Sequence, residues 1–196
     1  HSYLVTRAQD IPRVLTEAHY IARSGRPGPV VVDVTKTAQT GEMYYSWPQR
    51  MILPGYNPTT KAHGRVLSDA AKLFEQSYRP VLYVGGGAVR SDAGELVEKL
   101  ADVTGAPIVT TLPARGIVPD SNPKVLGMLG MHGSYEANMA MHDCDVMVCI
   151  GARFDDRITG RLNAFSPNSK KIHIDIDPSS INKNVRVDVP ITGDVG

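Results

Sequence analysis

The chain has 196 residues, 42% hydrophobic and 21% charged, with 18 glycines and 14 prolines. This is an ordinary globular composition with room for one domain, or one domain plus part of another, and it excludes a disordered or fibrous chain. Twenty-one basic against 20 acidic residues leave a net charge of +1, so nothing in the balance points to nucleic acid or to a membrane surface.

The N-terminus begins at His1 with no initiating methionine. It shows no charged start followed by an apolar stretch, so no signal peptide is visible. A helix is expected from about Ile11 to Ser24. Asp10 is its candidate cap, Pro12 lies in its first turn, and Val14, Leu15, Ala18, Ile21 and Ala22 share one face. Pro29–Val34 reads as a short buried strand. Thr35–Thr60 shows no periodicity and reads as a linker whose aromatics, Tyr44, Tyr45 and Trp47, pack against something. A helix is expected over 61–76, with Val66, Leu67, Ala70, Leu73 and Phe74 inward, then a strand, Pro80–Val84, running into Gly85-Gly86-Gly87. A helix over 92–104 closes at Gly105, and a strand covers 107–111. A long loop leads to Gly130-Met131-His132-Gly133. A helix over 135–142 follows, with Ser134 as its cap, and then strands over 145–150 and 171–176. No apolar run approaches the roughly 18 residues of a membrane helix. Strands alternating with helices predict an α/β fold built on a parallel sheet. The C-terminus stops within patterned sequence, and the chain reads as an excised piece of a longer enzyme.

Ligands of open α/β sheets bind beyond the carboxyl ends of the strands. Three such ends carry glycine or small polar residues: Gly85-Gly86-Gly87, Thr110-Thr111-Leu112 and Gly151-Ala152. Glycine there lets a backbone approach a phosphate or ring, and equally serves a tight turn with no ligand. The dinucleotide fingerprint G-x-G-x-x-G is not met, because Arg90 occupies the third glycine position. Arg153-Phe154-Asp155-Asp156-Arg157 places four charges around one aromatic just past a strand. Arginine forks match pyrophosphate oxygens, and acids orient such forks or accept ribose hydroxyls; the alternative is a solvated salt-bridged loop. Asp175 at the end of its strand reads equally as a ribose acceptor or as the start of an Asx-turn toward Asp177. The six histidines and the two cysteines, Cys144 and Cys149, show no metal-ligand spacing, and the cysteines make no disulfide framework. A reducing cytoplasm is the default location. No Ser-His-Asp set, nucleophile elbow or P-loop is present.

Ser24-Gly25-Arg26-Pro27-Gly28-Pro29-Val30, Gly127-Met128-Leu129-Gly130-Met131-His132-Gly133, Gly151-Ala152-Arg153-Phe154-Asp155-Asp156-Arg157 and His173-Ile174-Asp175-Ile176-Asp177-Pro178 follow in order. Together they resemble the large catalytic subunits of acetolactate synthases (acetohydroxyacid synthases) of the biosynthetic, FAD-containing type. The resemblance covers essentially the whole chain. It implies three α/β domains in the parent enzyme. Residues 1–36 look like the last helix and strand of the pyrimidine-binding first domain, 37–58 like a linker, and 59–196 like the Rossmann-like middle domain that holds most of the FAD. The glutamate that activates thiamine diphosphate and the Gly-Asp-Gly motif that binds diphosphate through magnesium belong to the other domains.

The resemblance carries FAD-contacting roles onto Arg26, Gly85, Gly86, Gly87, Thr111 and Leu112. It carries them onto Leu129, Gly130, Met131 and His132 along the flavin side, and onto Gly151, Ala152, Arg153, Asp155 and Arg157 around the pyrophosphate and ribityl chain. Asp175, Ile176 and Asp194 match the adenosine end. Lys36, Met131, Asp156 and Arg157 match positions near the substrate channel, where herbicides bind in this family. Two features depart from the pattern. Thr35 and Thr37 replace a proline and an aspartate around Lys36, and Pro113-Ala114-Arg115-Gly116 replaces a Met-Gly-Leu-Gly stretch.

The implied parent joins pyruvate to a second pyruvate or to 2-oxobutanoate with loss of CO2, making precursors of valine, leucine and isoleucine. It works as a homo-oligomer, at least a dimer, with a small regulatory subunit as partner. No metal ligand and no catalytic base is expected in this chain, which is expected to be inactive alone. The alternatives are another thiamine-diphosphate carboligase or decarboxylase, such as glyoxylate carboligase, and a stand-alone nucleotide-binding module.

Overall fold

A computed structural model describes residues 1–48, 51 and 53–196; Gln49, Arg50 and Ile52, within the stretch read as a linker, lie outside the described residues. The chain divides into two compact units, His1–Pro58 and Thr59–Gly196.

In the first unit β1 (Ser2–Val5) pairs in parallel with β2 (Val31–Val34), and α1 (Ile11–Arg23) connects them. Sequence pattern alone missed β1, because Ser2 and Tyr3 break the apolar run by which the equally short β2 was read. Val5, Val14 and Ala38 form a small core with Tyr3, Ile11, Val32 and Val34 packed on it. Pro12 stands in the first turn of α1 as expected, but Asp10 makes no capping bond. Its carboxylate instead meets Arg7 at 3.1 Å and Arg13 at 3.5 Å. α2 (Lys36–Thr40) starts where the Thr35 hydroxyl accepts from Ala38 N at 3.3 Å. Tyr56 folds back on α1, packing edge-on against Tyr20 and donating to Ser24 O at 3.0 Å. Tyr44, Tyr45 and Trp47 are exposed, against expectation, since no described helix or strand of that stretch brings an apolar face to them.

The second unit contains, in chain order, α3 (Gly64–Glu75), β3 (Pro80–Val84), α4 (Gly86–Arg90), α5 (Gly94–Thr104), β4 (Ile108–Thr110) and β5 (Val125–Met128). It continues with α6 (Tyr135–Asp143), β6 (Val146–Ile150), α7 (Asp156–Thr159), β7 (Lys170–Asp175) and β8 (Val189–Thr192). Among the described residues the sheet order is β5-β4-β3-β6-β7-β8, with every pair parallel. Successive strands run outward in one direction from β3 and in the other from β6. The switch point of a doubly wound fold therefore lies between them.

Alternation along the strands builds both faces. Leu82, Val84, Ile108, Val148, Ile150 and Ile172 face Val97 and Ala101 of α5, with Val66, Ala70, Leu73 and Phe74 of α3 packed alongside. Val81, Tyr83, Val109, Met147 and Cys149 face Ala137 and Met141 of α6. A sheet buried on both sides explains why its strands read as nearly continuous apolar runs. Leu67, expected inward, is 48% exposed and lies off the face of α3 that meets the sheet. Gly105 closes α5 at φ +71°, and Ser134 caps α6 by accepting from Ala137 N at 3.2 Å, both as expected. No helix among the described residues is long and apolar enough to cross a membrane.

The opposite end of the sheet is held by carboxylates. Asp145 accepts from the backbone N–H of Tyr78 at 2.7 Å and of Arg79 at 2.9 Å, tying the entry of β3 to that of β6. Asp188 accepts from Lys171 N at 2.9 Å and Lys170 Nζ at 3.1 Å, tying the entries of β7 and β8. Partial burial opposes ionisation at both, but the hydrogen-bond donors outweigh it and hold both carboxyls below the usual aspartate value. Lys171 lies between the two carboxylate ties; burial lowers its pKa, and its three ammonium protons go to Ser166 O, Ser169 O and Ser169 Oγ at 3.0–3.1 Å.

A group whose carboxyl is depressed by folding stabilises the protein fully above its unfolded pKa, and that contribution is lost as the pH falls through the folded value. The Asp145 and Asp188 contribution is therefore complete above about pH 4 and drains away below it. Asp145→Ala is expected to cost about 1 kcal/mol at pH 7, after allowance for solvent screening, and to flatten the acid limb of stability. Urea unfolding at pH 7 and at pH 3.5 checks both.

Candidate functional site

The expected ligand positions of the second unit gather at the carboxyl ends of its strands. Gly85, Gly86 and Gly87 follow β3, Thr111 and Leu112 follow β4, and Leu129 to His132 follow β5. Gly151 to Arg157 follow β6, Asp175 and Ile176 close β7, and Asp194 follows β8. Arg26 and Lys36 belong to the first unit, where Arg26 lies past the end of α1 and Lys36 begins α2.

At the switch point the turns after β3 and β6 meet backbone to backbone. A Cβ on Gly85 would collide with Gly151 O and stand 2.5 Å from Ala152 Cα, and a Cβ on Gly87 would stand 2.7 Å from Gly151 Cα. Gly151 sits at φ +59°, and a Cβ there would reach Ala88 N at 2.6 Å. The N–H groups of these glycines are used inside the fold: Gly85 N donates to Ile150 O, Gly87 N to Gly151 O and Gly151 N to Ile174 O, at 2.8–2.9 Å. The glycines therefore serve the packing of one turn on the other, whatever ligand lies above them. The glycine turn is also a short helix, α4, rather than an open loop.

Past this junction the β6 loop divides into an anchored backbone and projecting charges. Ala152 and Phe154 are each 4% exposed, with Phe154 packed between Tyr83 and His173. The Arg153 and Asp155 side chains project outward, are about half exposed and pair with each other at 2.9 Å. Asp156 and Arg157 are more exposed still. A small cleft beside Arg153 and Asp155 is walled by Ser180, Lys183 and Asn184. The β5 loop joins this cluster, because Met131 N donates to Arg157 O at 2.9 Å and Arg157 Nη1 lies 3.9 Å from Met131 Sδ. Asn138 holds that loop, accepting from Gly130 N at 2.9 Å and donating to Gly130 O at 3.1 Å.

Individual positions differ in what they offer a ligand. Leu112 and Met131 are 71% and 61% exposed, and His132 is exposed in the turn beside Met131. Leu129 is buried in the core under α6, so only its backbone faces the strand ends. Thr111 Oγ1 is buried without a hydrogen-bond partner among the described residues. Asp175 accepts from Asp177 N at 2.8 Å, which is the Asx-turn, while its other oxygen lies 3.8 Å from His173 Nε2. Asp194 Oδ1 accepts from Gly196 N at 2.9 Å. No group of three or more His, Cys, Asp or Glu among the described residues could hold a metal ion.

Tyr83, His173, Asn138 and Asn184, which shape these loops, escaped sequence reasoning. Tyr83 and His173 sit inside strands, where a polar residue gives no periodic signal, and the two asparagines lie in a helix and a turn.

Residues 67–196 match the family model described as "Thiamine pyrophosphate enzyme, central domain". The chain belongs to this family. It is also 54% identical over 195 residues to an acetolactate synthase of Mycobacterium bovis, covering 100% of this chain and 32% of that protein. An acetolactate synthase large subunit of Corynebacterium glutamicum is 47% identical, covering 99% of this chain and 31% of the relative. The acetolactate synthase isozyme 3 large subunit of Escherichia coli is 44% identical, covering 99% and 34%. The chain thus spans about a third of the length of the curated relatives it matches.

The packing of the two turns makes a test independent of any ligand. Gly85→Ala forces a Cβ into backbone that cannot move aside and is expected to cost about 3 kcal/mol or more. Gly64→Ala, at the start of α3 with nothing within 4 Å of its new Cβ, is expected to leave stability unchanged or raise it slightly. Chemical denaturation of the two variants compares them directly.

Proposed function

We propose that this chain supplies the FAD-binding middle domain of an acetolactate synthase large subunit. The observation that carries the reading is the switch-point crevice itself. Arg153 pairs with Asp155 and the Arg157 fork lies against exposed Met131, while exposed Leu112 follows β4 at the same end of the sheet. Arginine forks fit the oxygens of a pyrophosphate, and exposed apolar side chains fit the faces of a flat ring system. A dinucleotide carrying a large ring answers both. The names of the relatives and the family membership support the same reading.

In this reading Gly130 to His132 lie along the flavin, Arg153, Asp155 and Arg157 hold the pyrophosphate and ribityl chain, and Asp175, Ile176 and Asp194 meet the adenosine end. Gly85 to Gly87, Thr111, Leu112 and Ala152 line the floor, and Arg26 is assigned an FAD contact by the resemblance alone. Lys36, Met131, Asp156 and Arg157 border the substrate channel. Residues 1–36 are the end of a preceding pyrimidine-binding domain, 37–58 a linker, and 59–196 the FAD-binding domain. FAD serves a structural part. Thiamine diphosphate, with magnesium, supplies the carbon–carbon bond-making chemistry through ligands outside this chain. The whole enzyme joins pyruvate to pyruvate or 2-oxobutanoate with loss of CO2 for branched-chain amino-acid synthesis. It works in the cytoplasm as a homo-oligomer with a small regulatory subunit.

FAD titration of the purified chain, read by flavin fluorescence, tests this. Saturable binding is expected, weakened about 10- to 100-fold by Arg153→Ala, the cost of losing charge-assisted hydrogen bonds. Absence of binding rejects the reading for the chain by itself. The chain with FAD, thiamine diphosphate and magnesium is expected to make no acetolactate from pyruvate; product formation would refute its inactivity.

A further inference from the structure

One row of side chains across the sheet has no part in the reading above. Tyr83, Cys149 and His173 are register partners on β3, β6 and β7, so they project from the same face, and each is 0% exposed. All three aim polar atoms at the backbone of the β6 loop. Tyr83 Oη donates to Arg153 O at 2.8 Å, Cys149 Sγ to Ala152 O at 3.2 Å, and His173 Nε2 to Ala152 O at 2.8 Å. Asn184 Nδ2 donates to Phe154 O at 2.8 Å. Three consecutive carbonyl oxygens are thus held by side chains from four different places in the fold. A carbonyl only accepts, so the His173 ring carries its proton on Nε2, and its Nδ1 is buried without a hydrogen-bond partner among the described residues. A buried polar atom left unpaired has a cost, and here it accompanies a donor placed on the loop.

We propose that Tyr83 and His173 are positioning residues. By fixing the carbonyls of Ala152 and Arg153 they aim the Arg153–Asp155 pair outward at an anionic ligand, without touching that ligand themselves. The inference rests on the FAD reading for its ligand and on hydrogen-bond geometry for its mechanism. Burial supports it, because it keeps the Tyr83 phenol protonated and lowers the His173 pKa, so both are neutral donors at physiological pH.

The test measures FAD affinity of the 196-residue chain for Tyr83→Phe, His173→Leu and His173→Gln, each alone and combined with Arg153→Ala. Tyr83→Phe and His173→Leu are expected to weaken FAD about tenfold, on the scale of one buried hydrogen bond. His173→Gln, which returns an N–H toward Ala152 O, is expected to stay within about threefold of the unaltered chain. The losses should shrink to about twofold or less where Arg153 is already alanine, since the action runs through that side chain. Equal losses in both backgrounds, or equal losses for His173→Leu and His173→Gln, overturn the proposal.

Amide hydrogen exchange gives a readout that needs no ligand. Faster exchange confined to residues 152–157 in Tyr83→Phe sustains positioning. No change there, or an equal rise along β3 and β6, overturns it. If the unaltered chain binds no FAD, the functional reading fails, and exchange alone decides the positioning role. Exchange also decides where a variant binds too weakly to titrate.

Discussion

The turn after β3 and the turn after β6 approach so closely that no side chain fits between them, and the rest of the second unit is arranged around that contact. Gly85 and Gly87 on one side and Gly151 on the other let main chain touch main chain. The contact falls where the strand order reverses, so the crevice above it opens as the connections leave in opposite directions. With the turns locked, the β6 loop leaves at a fixed place and angle, and its charges inherit that direction. The glycines are first a packing device, and their use to a ligand comes through what they hold in place.

Beneath the loop the sheet is not purely apolar. A parallel sheet covered on both faces could be filled with aliphatic side chains, but the carbonyls of Ala152, Arg153 and Phe154 would then lose their partners, and buried carbonyls need them. Tyr83, Cys149 and His173 meet that need from inside the fold, and Asn184 meets it from an exposed loop. Burial suits the three sheet residues to the work, because it raises the pKa of the tyrosine and the thiol and lowers that of the imidazole, leaving neutral donors. The charges of the β6 loop lie at its exposed tips, and another set gathers at the far end of the sheet. There Asp145 and Asp188 each gather backbone N–H groups, and Lys171 spends its ammonium on carbonyl and hydroxyl oxygens.

The chain belongs to the thiamine pyrophosphate enzymes through their central domain. Its arginine forks and exposed apolar side chains suit binding, and its buried thiols and phenol are withdrawn from chemistry by desolvation. The relatives are about three times as long, and the activity in their names belongs to chains with much more than this domain.

Much of the fold was legible in the sequence, and so was the gathering of the expected ligand positions at the strand ends. Helices α1, α3, α5 and α6 and strands β3, β4, β6 and β7 announce themselves through periodicity or apolar runs, and the Ser134 and Gly105 stops read from residue type alone. The motifs at the strand ends name both the family and the loops that form the crevice. The misses have physical causes. Strand β1 begins with polar Ser2, β5 lies in the stretch read as a long loop and is interrupted by Gly127, and β8 contains Pro190 on a sheet edge, where only pairing with β7 makes it a strand. Asp10 chose two arginines over the helix end, and Leu67 lies just off the buried face of α3. The sequence by itself determined what depends on neighbours a few residues apart: periodicity, caps, turns and motif identity. The tertiary structure alone decided what depends on strand order and register. It set Tyr83, Cys149 and His173 in one row beneath a loop up to 70 residues away along the chain, because register and not sequence distance governs which donor meets which carbonyl.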